Sequence, residues 1–107
     1  MPAYYICGTL KNRILMEIIQ ENNEKKGVFY AKENDKQIGE MTYVWAGNKI
    51  IIDHTEVDLA YKGKGIGYDL VQKAVDFARE KSIKIMPLCP FAKAVFDKKP
   101  EYADVLF

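Results

Sequence analysis

"KIIIDHTEVDLAYKGKGIGYDLVQKAVDFAREKSIKIMPL", residues 49–88, carries a strand, a bare loop, a helix and a second strand in one unbroken run. Its opening, with the preceding Asn48, reads as strand through "NKIIIDHTEVDL". After the loop, Leu70, Val71, Ala74, Val75, Phe77 and Ala78 recur at helical spacing, while Asp69, Gln72, Lys73, Asp76, Arg79 and Glu80 fill the other face. The spacing predicts an amphipathic helix of about three turns. "SIKIMPL" follows as a short strand. A helix lies between the two strands, so they are expected to run parallel through a right-handed crossover.

Working upstream, "GVFYAKEN" and "KQIGEMTYVWAG" precede this unit, and "NDK" and "GN" supply turns between the runs. An antiparallel meander is the expected result. Downstream, Pro87 and Pro90 stop the strand pattern, and "FAKAVFDKK" places Phe91, Ala92, Val95 and Phe96 on one side of a short helix. That helix ends in lysines with Pro100 just beyond, a favourable C-terminus. The predicted fold class is α/β: a mixed, mostly antiparallel sheet, a crossover helix after the strand at about 50–58, and a short C-terminal helix.

The bulk properties set outer limits. A chain of 107 residues, 49% hydrophobic and 29% charged, fits one domain with an ordinary core. A net charge of +1 offers no overall attraction to nucleic acid or anionic lipid, so neither is expected as a partner. Cys7 and Cys89 form no disulfide-rich pattern, and the N-terminal "MPAYYICGTLKNRIL" does not read as a targeting segment. A cytoplasmic location with reduced thiols is expected. "MEIIQENNEKKGVFY" opens at Met16 where a strand would naturally start, so residues 1–15 read as an added arm or the product of an upstream start codon, and 16–107 as the domain.

Glycine loses more conformational freedom on folding than other residues, so three in "GKGIG" call for a reason. The first amides of a helix lack intrahelical partners and carry partial positive charge, and bare glycines let a phosphate reach several of them together. Lys62 and Lys64 add positive charge beside them, favouring a ligand with more than one phosphate. A tight turn that needs φ > 0 accounts for the same glycines. Two phosphate loops are excluded: the P-loop spacing and its Gly-Lys-Ser/Thr are missing, and Gly63-x-Gly65-x-Gly67 is not the dinucleotide Gly-x-Gly-x-x-Gly.

"KGKGIG" resembles the acyl-CoA diphosphate loop of the Gcn5-related N-acetyltransferase superfamily, Arg/Gln-x-x-Gly-x-Gly/Ala, with Lys62 first, Gly65 fourth and Gly67 sixth. Lysine stands where that pattern has Arg or Gln. "DHTEVDLAYKGKGIG" with "IMPLCPFAKAVFDKKPEYADVLF" extends the likeness to the small YjdJ-type branch, over roughly residues 16–107. The resemblance implies acetyl-CoA as cosubstrate. It implies that the backbone near Glu56 and Val57 pairs with the pantetheine arm, and that the amides of Lys62, Gly63, Lys64, Gly65, Ile66, Gly67 and Tyr68 hold the diphosphate. It further implies that the strands at about 50–58 and 83–88 splay apart.

Acetyl transfer to an amine needs a proton acceptor and donors for the thioester oxygen. His54 is the only histidine; strand alternation places Glu56 on its side to orient it, unless a bulge intervenes. The alternative is a half-buried polar residue. Cys89 precedes Pro90 at a helix start, where a thiol loses its proton more easily, and the resemblance implies a place close to the acetyl group. A small buried residue packing the strand end is the other reading. Cys7, Cys89 and His54 lack the close pairing of a metal site, and none is expected. The function expected is an acetyl-CoA-dependent N-acetyltransferase acting on an amine, small or protein-borne, directly or through Cys89. A non-catalytic acyl-CoA-binding or regulatory module is the alternative, and the oligomeric state is left open.

Overall fold

A computed structural model describes residues 3–7, 15–33 and 35–107. Six strands make one sheet in sequence order: β1 (Ala3–Cys7), β2 (Leu15–Asn22), β3 (Lys26–Glu33), β4 (Lys36–Ala46), β5 (Lys49–Val57) and β6 (Lys84–Pro87). The first five are antiparallel neighbours, and β6 lies parallel to β5. Helix α1 (Ile66–Lys81) makes that crossover, and α2 (Pro90–Lys98) follows β6. The mixed α/β architecture is thus as expected. The meander is longer than the three runs read from the sequence, because Ala3–Cys7, inside the stretch read as an arm, pairs with β2.

Both helices pack on one face of the sheet. Phe29, Met41, Tyr43, Ile50, Ile52 and Ile85 meet Leu70, Val71, Ala74, Val75 and Phe77 of α1, and α2 adds Ala92, Val95 and Phe96. Phe77 lies 6.0–6.2 Å from the rings of Phe29, Tyr43 and Trp45. The buried Tyr43 hydroxyl is satisfied: it donates to Asn22 Oδ1 (2.8 Å) and accepts from Gln20 Nε2 (2.7 Å). Gly27 is required beneath it, since a Cβ there would come within 2.3 Å of the Tyr43 ring. Helix α1 is longer than its predicted core, because its first turn begins inside the glycine loop.

A 3-10 segment over Pro100–Val105 closes the chain against α1. Arg79 makes a two-pronged contact with Asp104, Nε to Oδ2 and Nη2 to Oδ1 at 2.9 Å each, and Nη2 also donates to the Glu101 carbonyl. The Arg79 hydrogen bond holds the Asp104 carboxyl below its ordinary value of 3.8. A depressed carboxylate contributes stability that is present above the ordinary value and lost as pH falls through the folded one. Asp104→Asn should therefore lower the thermal midpoint at neutral pH, and its difference from the parent should close as pH falls below the ordinary carboxylate value of 3.8, measured by melting across pH.

Candidate active site

Strands β5 and β6 pair only from Lys49↔Lys84 to Ile52↔Pro87. The amides of Leu88 and Cys89 then both donate to the Ile52 carbonyl at 3.0 Å, and the chain turns away into α2. Strand β5 continues to Val57, still paired with β4 as far as Gly39↔Val57, and Asp58 N donates to Ile38 O at 2.8 Å. In an antiparallel ladder alternate residues address the partner strand, so His54 and Glu56 direct their main chain to β4. Thr55 and Val57 direct theirs to the open side. The result is a wedge with one free strand edge.

A bulge on β5 sets the side chains around this wedge. Register passes from Tyr43↔Ile52 to Thr42↔His54, leaving Asp53 as the extra residue, and Thr42 Oγ1 donates to Asp53 Oδ1 at 2.6 Å. Without it His54 and Glu56 would share the buried face of Ile50 and Ile52. With it they stand on the helix-free face, with 57% and 71% of their side chains exposed and His54 Nε2 3.7 Å from Glu56 Oε1. The expected His54–Glu56 pair is therefore present, because the bulge falls before it. Glu40 lies directly opposite Glu56 and accepts from Gln37 Nε2 at 3.0 Å.

Cys89 lies on the other face of β5. It is buried, 5% exposed, and is the N-cap residue of α2 without using its side chain to cap. Its Sγ donates to Thr55 Oγ1 at 3.5 Å. The structure thus brings Cys89 to Thr55 and separates it from His54. Thr55 had no part in the sequence reading, because only the bulge turns it towards the helices. Cys7 falls in β1, and its side chain lies outside the described residues.

The glycines answer to two different demands. Gly63 and Gly65 both have φ of +81°, and the space where a Cβ would stand is open at each. Gly65 is the N-cap residue of α1, so Ile66 and the residues after it present the first helical amides. Gly67 instead makes room for a neighbour: a Cβ would sit 2.5 Å from the Phe91 ring. Lys62 and Lys64 are exposed beside the loop, and Tyr68 packs its ring edge-to-face on Phe91 at 6.0 Å. Asp69 lies in the first turn, and burial pushes its carboxyl up. A hollow of about 330 Å³ lined by Glu40, Glu56, Val57 and Leu59 adjoins the end of β5. A larger one of about 480 Å³, between α1 and Ile18, is remote from the loop. Among the described residues no three His, Cys, Asp or Glu side chains gather as metal ligands. No described helix is long and apolar enough to cross a membrane.

Residues 28–105 match the sequence profile of the GCN5-related N-acetyl-transferase family. The chain belongs to that family. Family and structural neighbours together make the chain an acetyltransferase, and members of this family use acetyl-CoA. Protein NATD1 of Gallus gallus is 30% identical over 84 residues, covering 75% of this chain and 74% of that one. The Homo sapiens NATD1 is 33% identical over 61 residues, and the match spans 54% of its length. A GCN5-like protein from Staphylococcus aureus, solved by NMR, is 33% identical with a TM-score of 0.61, covering 83% of this chain and 87% of that one. The ribosomal-protein-alanine N-acetyltransferase of Brucella melitensis biovar Abortus 2308 is 20% identical with a TM-score of 0.60, covering 79% of this chain and 64% of that one, and shares the fold.

Gly65 is the sharpest point of the loop to test. An alanine at its positive φ should cost about 1 kcal/mol of stability, measurable by denaturant unfolding. The added methyl group would also stand in the open cradle, so titration calorimetry should show weaker CoA binding than the stability loss alone would cause. Gly67→Ala should disturb mainly the packing of Phe91.

Proposed function

We propose that this domain transfers an acetyl group from acetyl-CoA to an amine by direct attack, with the cofactor lying in the wedge between β5 and β6. The observation that carries this reading is the continuity of the free β5 edge, at Thr55 and Val57, with the open positive-φ glycines and the first amides of α1. Main-chain groups of Thr55 and Val57 suit an amide-bearing arm, and the Val57 region provides a donor for the thioester oxygen. The amides of Gly63 and of Gly65 to Tyr68, with the Lys62 and Lys64 side chains, suit its diphosphate, whereas the Lys62 and Lys64 amides already donate to the Leu59 and Tyr61 carbonyls. Acetyl-CoA supplies the activated acyl group as a thioester. The amine nitrogen forms a bond to the acyl carbon, the carbon–sulfur bond breaks, and the departing thiolate takes up a proton.

His54 is the proton acceptor in this reading, oriented by Glu56 on the helix-free face. Glu40, Asp53 and Glu56 share that face, which suits a cationic acceptor approaching before it loses its proton. A second route is supported by the place of Cys89 at the vertex of the wedge against Thr55: the thiolate accepts the acetyl group and then passes it to the amine. Reduced thiols in a cytoplasmic setting belong to the same reading, as does treating residues 16–107 as the catalytic unit.

Cys89→Ala and His54→Gln separate the routes in a thiol-release assay with acetyl-CoA and a panel of amines, polyamines and peptides. Direct transfer predicts that Cys89→Ala keeps turnover while His54→Gln loses roughly 100-fold. Loss of all turnover in Cys89→Ala with normal CoA binding would instead establish the acyl-cysteine route. Tight CoA binding by the parent protein with no thiol release for any acceptor would establish a non-catalytic module.

A further inference from the structure

The cofactor loop has few internal ties. Between Asp58 and Ile66 its main chain is held by turn contacts such as Tyr61 N to Asp58 O (2.8 Å) and the longer Lys62 N to Leu59 O and Lys64 N to Tyr61 O (3.3 Å each). Both glycines that shape it are at positive φ, conformations that are readily left once nothing else restrains them. A loop of this kind would wander over many arrangements before ligand arrives, and each would have to be given up on binding.

Its external ties converge on one neighbour, the facing ends of β3 and β4. The Tyr61 hydroxyl donates to Glu33 Oε1 across that gap. Lys36 Nζ stands 5.8 Å from the centre of the Tyr61 ring and 3.9 Å from Asp58 Oδ2. Asp58 is itself fastened at both ends, its amide to Ile38 O and its Oδ1 accepting from Ala60 N at 2.9 Å. The ion pair is exposed and contributes little by itself. Tyr61 immediately precedes Lys62 and is partly buried against the core, so its hydroxyl ties the loop at that point to the end of β3.

We propose that the facing ends of β3 and β4 clamp the cofactor loop, with Tyr61 as a positioning residue, held by Glu33, that keeps the free amides of Gly63 and residues 65–67 converged before the diphosphate binds. Tyr61 touches no reacting atom in this scheme. It acts on affinity for the diphosphate-bearing end and leaves the pantetheine end alone. The inference rests on the acetyl-CoA reading above.

The test compares the parent, Tyr61→Phe and Glu33→Gln. Hydrogen exchange of the ligand-free proteins reads the clamp directly: amides 62–67 should exchange faster in Tyr61→Phe while those of β3 and β4 stay protected. Titration with CoA should show affinity reduced roughly threefold to tenfold in Tyr61→Phe, the scale of one hydrogen bond. Titration with pantetheine, which has no diphosphate, should be unchanged. Glu33→Gln keeps an acceptor for the hydroxyl and should recover most of the parent's affinity. Unchanged loop exchange and CoA affinity in Tyr61→Phe would overturn the clamp, as would equal losses for CoA and pantetheine, the mark of a general structural role. A parent protein that binds no CoA would overturn the cofactor reading itself, whatever the exchange data say of the loop.

Discussion

The wedge proposed to hold acetyl-CoA depends on where β6 lets go of β5. Ile52↔Pro87 is the last paired position, and beyond it the chain leaves the ladder. Leu88 and Cys89 crowd onto a single carbonyl, that of Ile52, and Pro90 then starts α2 at a helical position that suits it. A sheet that stayed zipped would have no free main chain to offer. Because it parts, the end of β5 becomes an edge with hydrogen-bonding groups exposed, a feature that most folds conceal or cover.

The helices make this opening tolerable and give it direction. Phe77, ringed by Phe29, Tyr43 and Trp45, anchors the middle of α1 to the sheet well away from the wedge. Gly39 lets the first turn of α1 come close, with the nearest Ile66 carbon 3.2 Å from where a Cβ would stand. The helix N-terminus is thereby fixed beside the free edge, and its partial positive charge meets the exposed lysines of the loop. One continuous path of main-chain donors runs from strand to helix.

The bulge at Asp53 divides chemistry between the two faces of β5. It turns a histidine and a carboxylate out to one side and a threonine in towards a cysteine on the other. The proposed direct route would receive its amine on the acidic face while the thiol stays sheltered at the vertex. A scaffold with helices on only one face leaves that acidic side without a helix over it, which suits a bulky or protein-borne amine.

By itself the sequence determined the order of strands around a crossover helix, because hydrophobic period and turn chemistry are local properties. It also marked the loop, since three glycines between a strand and a helical pattern call for either a tight turn or a close-lying anion, and it located the strand's end through Pro87 and Pro90. The roles of single residues were another matter. Gly67 looked equivalent to Gly63 and Gly65 until Phe91, remote in the chain, proved to lie against it. Thr55 was invisible because a one-residue bulge shifts every later side chain to the opposite face, and nothing local announces it. The Tyr61–Glu33 contact spans 28 positions. Such contacts are set by strand register and helix placement, which are many-body outcomes of packing, and only the tertiary structure could decide them.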